Sequence, residues 1–208
     1  MKSNSGAILG LALLAGILAG TAARAEEPPQ GCEVSASLLS SESALPKVMD
    51  AVKSGHPLDI LVVGSRSSTI NASEASAYPA RLQALLKEKL PAVVVNLSVD
   101  LEAKKTAAEV ATGLAGLVEA KWPTLVIWQT GTVDAIRSVD PEDFRSAVDD
   151  GVAALQRAGA DVVMMNLQYS PRTETLISVP PYLDNMRVVA QQHDVPLFDR
   201  FSIMREWN

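Results

Sequence analysis

Leu58-Asp59-Ile60-Leu61-Val62-Val63-Gly64-Ser65-Arg66-Ser67-Ser68-Thr69 is the stretch on which the reading of this chain turns. Ile60 to Val63 are apolar without alternation, as expected of a strand buried on both faces of a parallel sheet. Gly64 lets the backbone turn sharply, and the small polar residues after it suit the cap and first turn of a helix. Ligands of open parallel α/β sheets sit beyond the carboxyl ends of the strands, so chemistry is expected at this turn.

Further apolar runs repeat the pattern. Residues 92–97 (with Val93-Val94-Val95), 124–128, 161–167 and 195–198 read as four more strands. Helical stripes separate them: Leu82, Leu85, Leu86 and Leu90 in 78–90; Val110, Leu114, Leu117 and Val118 in 106–121; Phe144, Val148, Val152 and Leu155 after the Asp140-Pro141 start. Residues 182–193 and 201–207 predict two more helices, and 35–53 carries an earlier helical pattern with Pro46 near a start. Five strands alternating with helices predict a flavodoxin-like, doubly wound parallel sheet in a three-layer α/β/α arrangement.

Residues 1–25 read as a cleaved signal peptide: Lys2, an apolar run over 7–20, then Ala23-Arg24-Ala25 before a mature start at Glu26. The run falls short of the roughly 20 residues of a spanning helix, so no lasting membrane anchor and a periplasmic or secreted location are expected. Residues 26–34 form a leader, and 35–208 a single α/β domain. Two of the 18 basic residues, Lys2 and Arg24, leave with the signal, so 16 face 24 acidic ones and the net charge moves from −6 to −8. That balance, without a basic cluster, argues against a nucleic-acid partner. Cys32 is the only cysteine, which excludes an intrachain disulfide and suits a partly buried thiol. No zinc-like His/Cys spacing and no Gly-x-x-x-x-Gly-Lys loop occurs, so no metal or cofactor is expected.

The segments after the strands converge on one polar rim: 65–69, 98–100, 129–134, 168–170 and 199–200. Here the chain resembles the SGNH/GDSL hydrolases. Residues 60–68 are similar to that family's first block, where a strand ends in Gly-Asp-Ser and the Ser is the nucleophile. Leu125-Val126-Ile127-Trp128-Gln129-Thr130-Gly131-Thr132-Val133-Asp134 is similar to the third block, whose core reads Gly-Thr-Asn-Asp. Tyr78-Pro79-Ala80-Arg81-Leu82, Gly159-Ala160-Asp161-Val162-Val163 and Asp194-Val195-Pro196-Leu197-Phe198-Asp199 match further pieces in order. The resemblance implies hydrolysis of acyl or acetyl esters by a serine nucleophile.

The catalytic positions depart from the pattern. Arg66 stands where the nucleophile belongs, leaving Ser67 or Ser65 as candidates if the turn shifts by one residue. The second block, Asn96-Leu97-Ser98-Val99-Asp100-Leu101, has no oxyanion-hole Gly, and Val133 replaces the donating Asn. A serine needs an oriented base, and the Asp-x-x-His block that supplies it in the family is not found before Asn208. His56 and His193 lie before strands, roughly 15 Å from the rim along a five-residue strand. Either the sequence stops short of the block or the site has degenerated, and the three further departures favour degeneration. Two functions follow: an exported ester hydrolase using Ser67 or Ser65, or a non-catalytic binding protein. The latter would hold a small anionic or carbohydrate-like ligand with Gly64, Arg66, Ser98, Gly131, Thr132 and Asp134.

Overall fold

The computed structural model describes residues 33–68 and 73–208. The signal-peptide reading of 1–25, Cys32 and Thr69 lie outside the described residues. Five parallel strands, β1 (Leu58–Ser65), β2 (Val95–Glu102), β3 (Leu125–Gln129), β4 (Asp161–Met165) and β5 (Leu197–Phe198), make one sheet in the order β2-β1-β3-β4-β5. This is the flavodoxin-like arrangement expected from the sequence, with β1 central and paired on both sides.

Alternation along the strands divides the core. Leu61, Val63, Val126, Trp128, Val162 and Met164 face α3 (Ala107–Lys121), α5 (Pro141–Arg157) and α7 (Pro180–Gln192). Leu58, Ile60, Val62, Leu125, Ile127 and Met165 face α1 (Pro46–Ser54) and α2 (Tyr78–Lys89). Both faces are apolar because helices cover both, which is why these strands read as unbroken runs.

Caps fix where the helices begin. Thr106 and Glu109 form a reciprocal capping box at α3, Thr106 N–H donating to Glu109 Oε2 at 2.8 Å. Asp140 Oδ1 accepts from Glu142 N–H at 2.9 Å at the start of α5, with Pro141 behind it. α1 has no side-chain cap from Leu45; Asp161, at the foot of β4, instead accepts from Val48 N–H at 2.9 Å. α8 (Arg200–Glu206) starts at Asp199, which accepts from Ser202 N–H at 3.1 Å.

The second strand departs from the expected 92–97. It runs Val95–Glu102, and Val94 in the apolar triplet is exposed. β2 is an edge strand with one face covered, so it alternates through Leu97, Val99 and Leu101 and lacks a continuous apolar signature. The 35–53 pattern resolves into a 3₁₀ turn at Ala36–Leu38 and α1. Two short helices, α4 (Thr132–Ile136) and α6 (Pro171–Leu176), are additions to the expected set.

Candidate functional site

The site begins at Gly64, where φ is +117° and a Cβ would lie 2.0 Å from the Gln129 carbonyl oxygen. Only glycine lets the end of β1 approach β3 this closely. The Gln129 amide then donates from Nε2 to the Ser65 carbonyl. A 3₁₀ turn, Arg66–Ser68, follows directly.

That turn separates the two candidate serines. Ser65 is 3 % exposed and its hydroxyl donates to Ser67 Oγ at 3.2 Å. Ser67 is half-buried and also accepts from Arg200 Nη2 at 3.4 Å. Arg66 is exposed. Arg200, at the first turn after β5 and 7 % exposed, is the donor to Ser67. Its Nη2 also lies 3.5 Å from Thr132 Oγ1, which accepts from Gln168 N–H at 3.0 Å. Burial pushes the Arg200 pKa down to about 10, with the neighbouring Tyr78 acting in the other direction, so the guanidinium stays charged at neutral pH. The Tyr78 hydroxyl is buried without a hydrogen-bond partner among the described residues, and burial raises its pKa above the usual tyrosine range.

Thus segments following β1, β3, β4 and β5 meet as Ser67, Thr132, Gln168 and Arg200. Gly131 (φ +90°) opens α4, and a Cβ there would press within 2.5 Å of Leu167 Cδ1.

Two expected ligand residues have other places. Ser98 lies inside β2 opposite Leu61, with its hydroxyl 3.4 Å from the Ile60 carbonyl, because the strand runs on to Glu102. It stands about three to four residues, or roughly 10 Å, short of the rim. Asp134 is 1 % exposed, and its Oδ1 accepts from Ala107 N–H at 2.9 Å, the first residue of α3. It anchors the N-terminus of α3 from α4, 27 positions along the chain.

Burial pushes the Asp134 carboxyl up, against the backbone donors around it. The native state therefore holds this proton more tightly than the unfolded chain, and stability falls as pH climbs from 3.8 towards the raised native value. Asp134→Asn, which keeps an acceptor for Ala107, is expected to stabilise the protein at pH 7 and to flatten that slope. Asp134→Ala loses the acceptor and is expected to cost roughly 0.5–2 kcal/mol. Urea unfolding at a series of pH values checks both.

The histidines lie at the opposite edge. His56 sits between α1 and β1, and His193 caps α7, with Nε2 2.9 Å from Asp149 Oδ1 and Nδ1 3.1 Å from Gln156 Oε1. Both imidazoles are remote from Ser67, as the strand positions implied. Among the described residues no helix is long and apolar enough to cross a membrane.

The sequence profile of the non-GDSL lipase-like family matches residues 31–208. The chain belongs to the non-GDSL lipase-like family. Solved structures labelled as SGNH and GDSL proteins share its fold. TesA superposes with a TM-score of 0.58 at 21 % identity, over 66 % of this chain and 76 % of that one. AlinE4, an SGNH-hydrolase family esterase, gives 0.61 at 18 %, over 72 % and 79 %. The psychrotrophic esterase EstA from Pseudoalteromonas sp., solved with monoethylphosphonate as inhibitor, gives 0.55 at 18 %, over 66 % and 74 %. At these identities the likeness is one of fold. No curated protein matches the chain. This non-GDSL lipase-like protein has Gly64-Ser65-Arg66 at the end of β1.

The sequence reading did not single out Arg200 or Tyr78 as site residues. Arg200 had one local signal, a basic residue one step past a strand end; Tyr78 had only its place at the head of the Tyr78-Pro79-Ala80-Arg81-Leu82 match, which opens α2.

Proposed function

We propose that this non-GDSL lipase-like protein is an exported carboxyl-ester hydrolase whose attacking hydroxyl is Ser67. The observation that carries the reading is the placement of Ser67 Oγ. It sits one turn beyond the strand-end glycine, held between the Ser65 hydroxyl at 3.2 Å and the Arg200 guanidinium at 3.4 Å. Ser65 is buried and its proton is directed at Ser67, which supports a positioning role for it. Arg200 places positive charge beside the position where an oxyanion would develop, a task that a backbone N–H and an Asn amide perform in the related hydrolases. In the reaction, Ser67 Oγ bonds to the ester carbonyl carbon and gives up its proton to a base. The alcohol leaves with a proton, and water then releases the acid and restores the hydroxyl.

A second reading rests on the histidines: both are remote from Ser67, and a serine without a base is a weak nucleophile. A rim that keeps Arg200 and loses turnover would act as a binding site. The test is labelling of the full chain by a fluorophosphonate together with hydrolysis of short acyl esters. Ser67→Ala is expected to abolish labelling and to lower turnover at least about 1000-fold. A folded wild-type protein that neither labels nor turns over would sink the hydrolase and leave the binding reading. Export is supported by residues 1–25 of the sequence and is checked by the N-terminus of the secreted protein, expected at Glu26.

A further inference from the structure

β2 leaves one edge of the sheet open. It is 8 residues long, pairs only with β1 among the described residues, and keeps one unbroken register from Val95 to Glu102. It holds no proline, lysine, arginine or bulge, the devices with which sheets commonly block an edge.

Successive residues of an extended strand turn their N–H and C=O to opposite edges. The Val94 carbonyl accepts from Leu58 N–H at 2.8 Å, so Val94, Asn96, Ser98 and Asp100 turn towards β1. Val95, Leu97, Val99 and Leu101 then turn outward. Gln83 Nε2, on α2, donates to the Val95 carbonyl at 3.1 Å and closes that end of the row. Leu97, Val99 and Leu101 stay open, with Val99 at the centre. The Leu97 and Leu101 side chains pack against the core, whereas Val99 is 52 % exposed.

This row is complementary to itself. In an antiparallel pair about a two-fold axis at Val99, Leu97 of one copy faces Leu101 of the other, and the open backbone groups partner one another. The side chains agree with that register. Ser98 stands opposite Asp100 and Asn96 opposite Glu102, so hydroxyl and amide donors meet carboxylates, while Val99 meets Val99 on the other face. An axis at Asp100 or Leu101 would set carboxylate against carboxylate. An axis at Ser98 or Leu97 would call on the Val95 carbonyl that Gln83 holds.

We propose that β2 joins two copies of this chain edge to edge, making one continuous sheet from two. The contact is small beside stable interfaces, so the dimer is weak, with Kd on the order of 10–100 µM. It lies away from Ser67 and stands or falls independently of hydrolysis.

Sedimentation equilibrium of the full chain, with reductant to keep Cys32 from cross-linking, tests it. The mean mass is expected to rise from one chain towards two between about 1 and 500 µM. Over the same range the Leu97, Val99 and Leu101 N–H groups should become protected from hydrogen exchange. Val99→Pro removes an outward N–H and no bond to β1, so the fold is kept while the dimer weakens at least about 10-fold. If that variant does not fold, Val99→Lys, which sets two charges at the axis, decides with the same expectation. Ser98→Lys faces Asp100 of the other copy and is expected to tighten the dimer roughly 2- to 10-fold. A single-chain mass at about 500 µM overturns the proposal and leaves the edge to a strand of another protein. A dimer that survives Val99→Pro or Val99→Lys in folded protein overturns it too. Weakening by Ser98→Lys overturns the pairing about Val99.

Discussion

Gly64→Ala is expected to destabilise the protein by on the order of 3–5 kcal/mol, a large share of the roughly 5–15 kcal/mol that holds a domain together. Two costs add. The φ of +117° is one that L-residues rarely adopt, and the new methyl would meet the Gln129 carbonyl at 2.0 Å. That obstacle is backbone in the neighbouring strand, so no rotamer change relieves it. β1 and β3 would have to part, and the Gln129 amide would lose the Ser65 carbonyl with them. Urea unfolding reads the effect, with Gly113→Ala as control: no atom lies within 4 Å of a Cβ there, and alanine in mid-helix is expected to stabilise by up to about 1 kcal/mol. A Gly64→Ala midpoint equal to wild type would show that the turn is looser than the geometry described above.

Asn166→Ala is expected to be nearly as severe, roughly 2–5 kcal/mol. Asn166 is fully buried just past β4 and works in both directions: Nδ2 donates to Asp199 Oδ1 at 2.6 Å, and Oδ1 accepts from Phe201 N–H at 2.9 Å. It stitches β4 to the start of α8, the segment that carries Arg200. Removing it leaves a carboxylate and a backbone donor short of partners. The change also has a pH signature. Burial works to raise the Asp199 pKa, but the hydrogen bonds from Asn166 and Ser202, with Arg187 nearby, outweigh it and hold the carboxyl below its ordinary 3.8. A lowered native pKa contributes stability above the unfolded value that is lost as pH falls through the native one. In Asn166→Ala the loss of stability should therefore be larger at pH 7 than at pH 3. A pH-independent loss would assign the effect to packing alone.

Much of this architecture could be read residue by residue. β1, β3 and β4 are covered on both faces and so appear as uninterrupted apolar runs; Asp140-Pro141 and Thr106 mark helix starts because their side chains satisfy bare N–H groups. β2 was misplaced because an edge strand alternates, and the error carried Ser98 to the rim. α4 and α6 are too short to express a helical period. The site was half legible. Gly64, Ser65 and Ser67 announce themselves by following a buried strand. Asp134 looked like a rim residue because nothing near it in sequence reveals its partner, Ala107, 27 positions earlier. Arg200 was placed on the rim with residues 199–200 but not named for the site, because its contacts to Ser67 and Thr132, 133 and 68 positions away, appear only in the folded chain.

Ser67, Thr132, Gln168 and Arg200 each end a different strand-to-helix crossover, which gives a ligand at this rim a long reach. Whatever occupies it fastens four separate loops of the chain at once, so they cannot come apart singly while it stays. Its binding free energy then enters the global unfolding equilibrium as RT ln(1 + [L]/Kd), about 2.7 kcal/mol at a hundredfold excess over Kd. An occupied rim would register as a higher melting temperature for the whole sheet, which makes thermal denaturation a screen for ligands before any reaction is known.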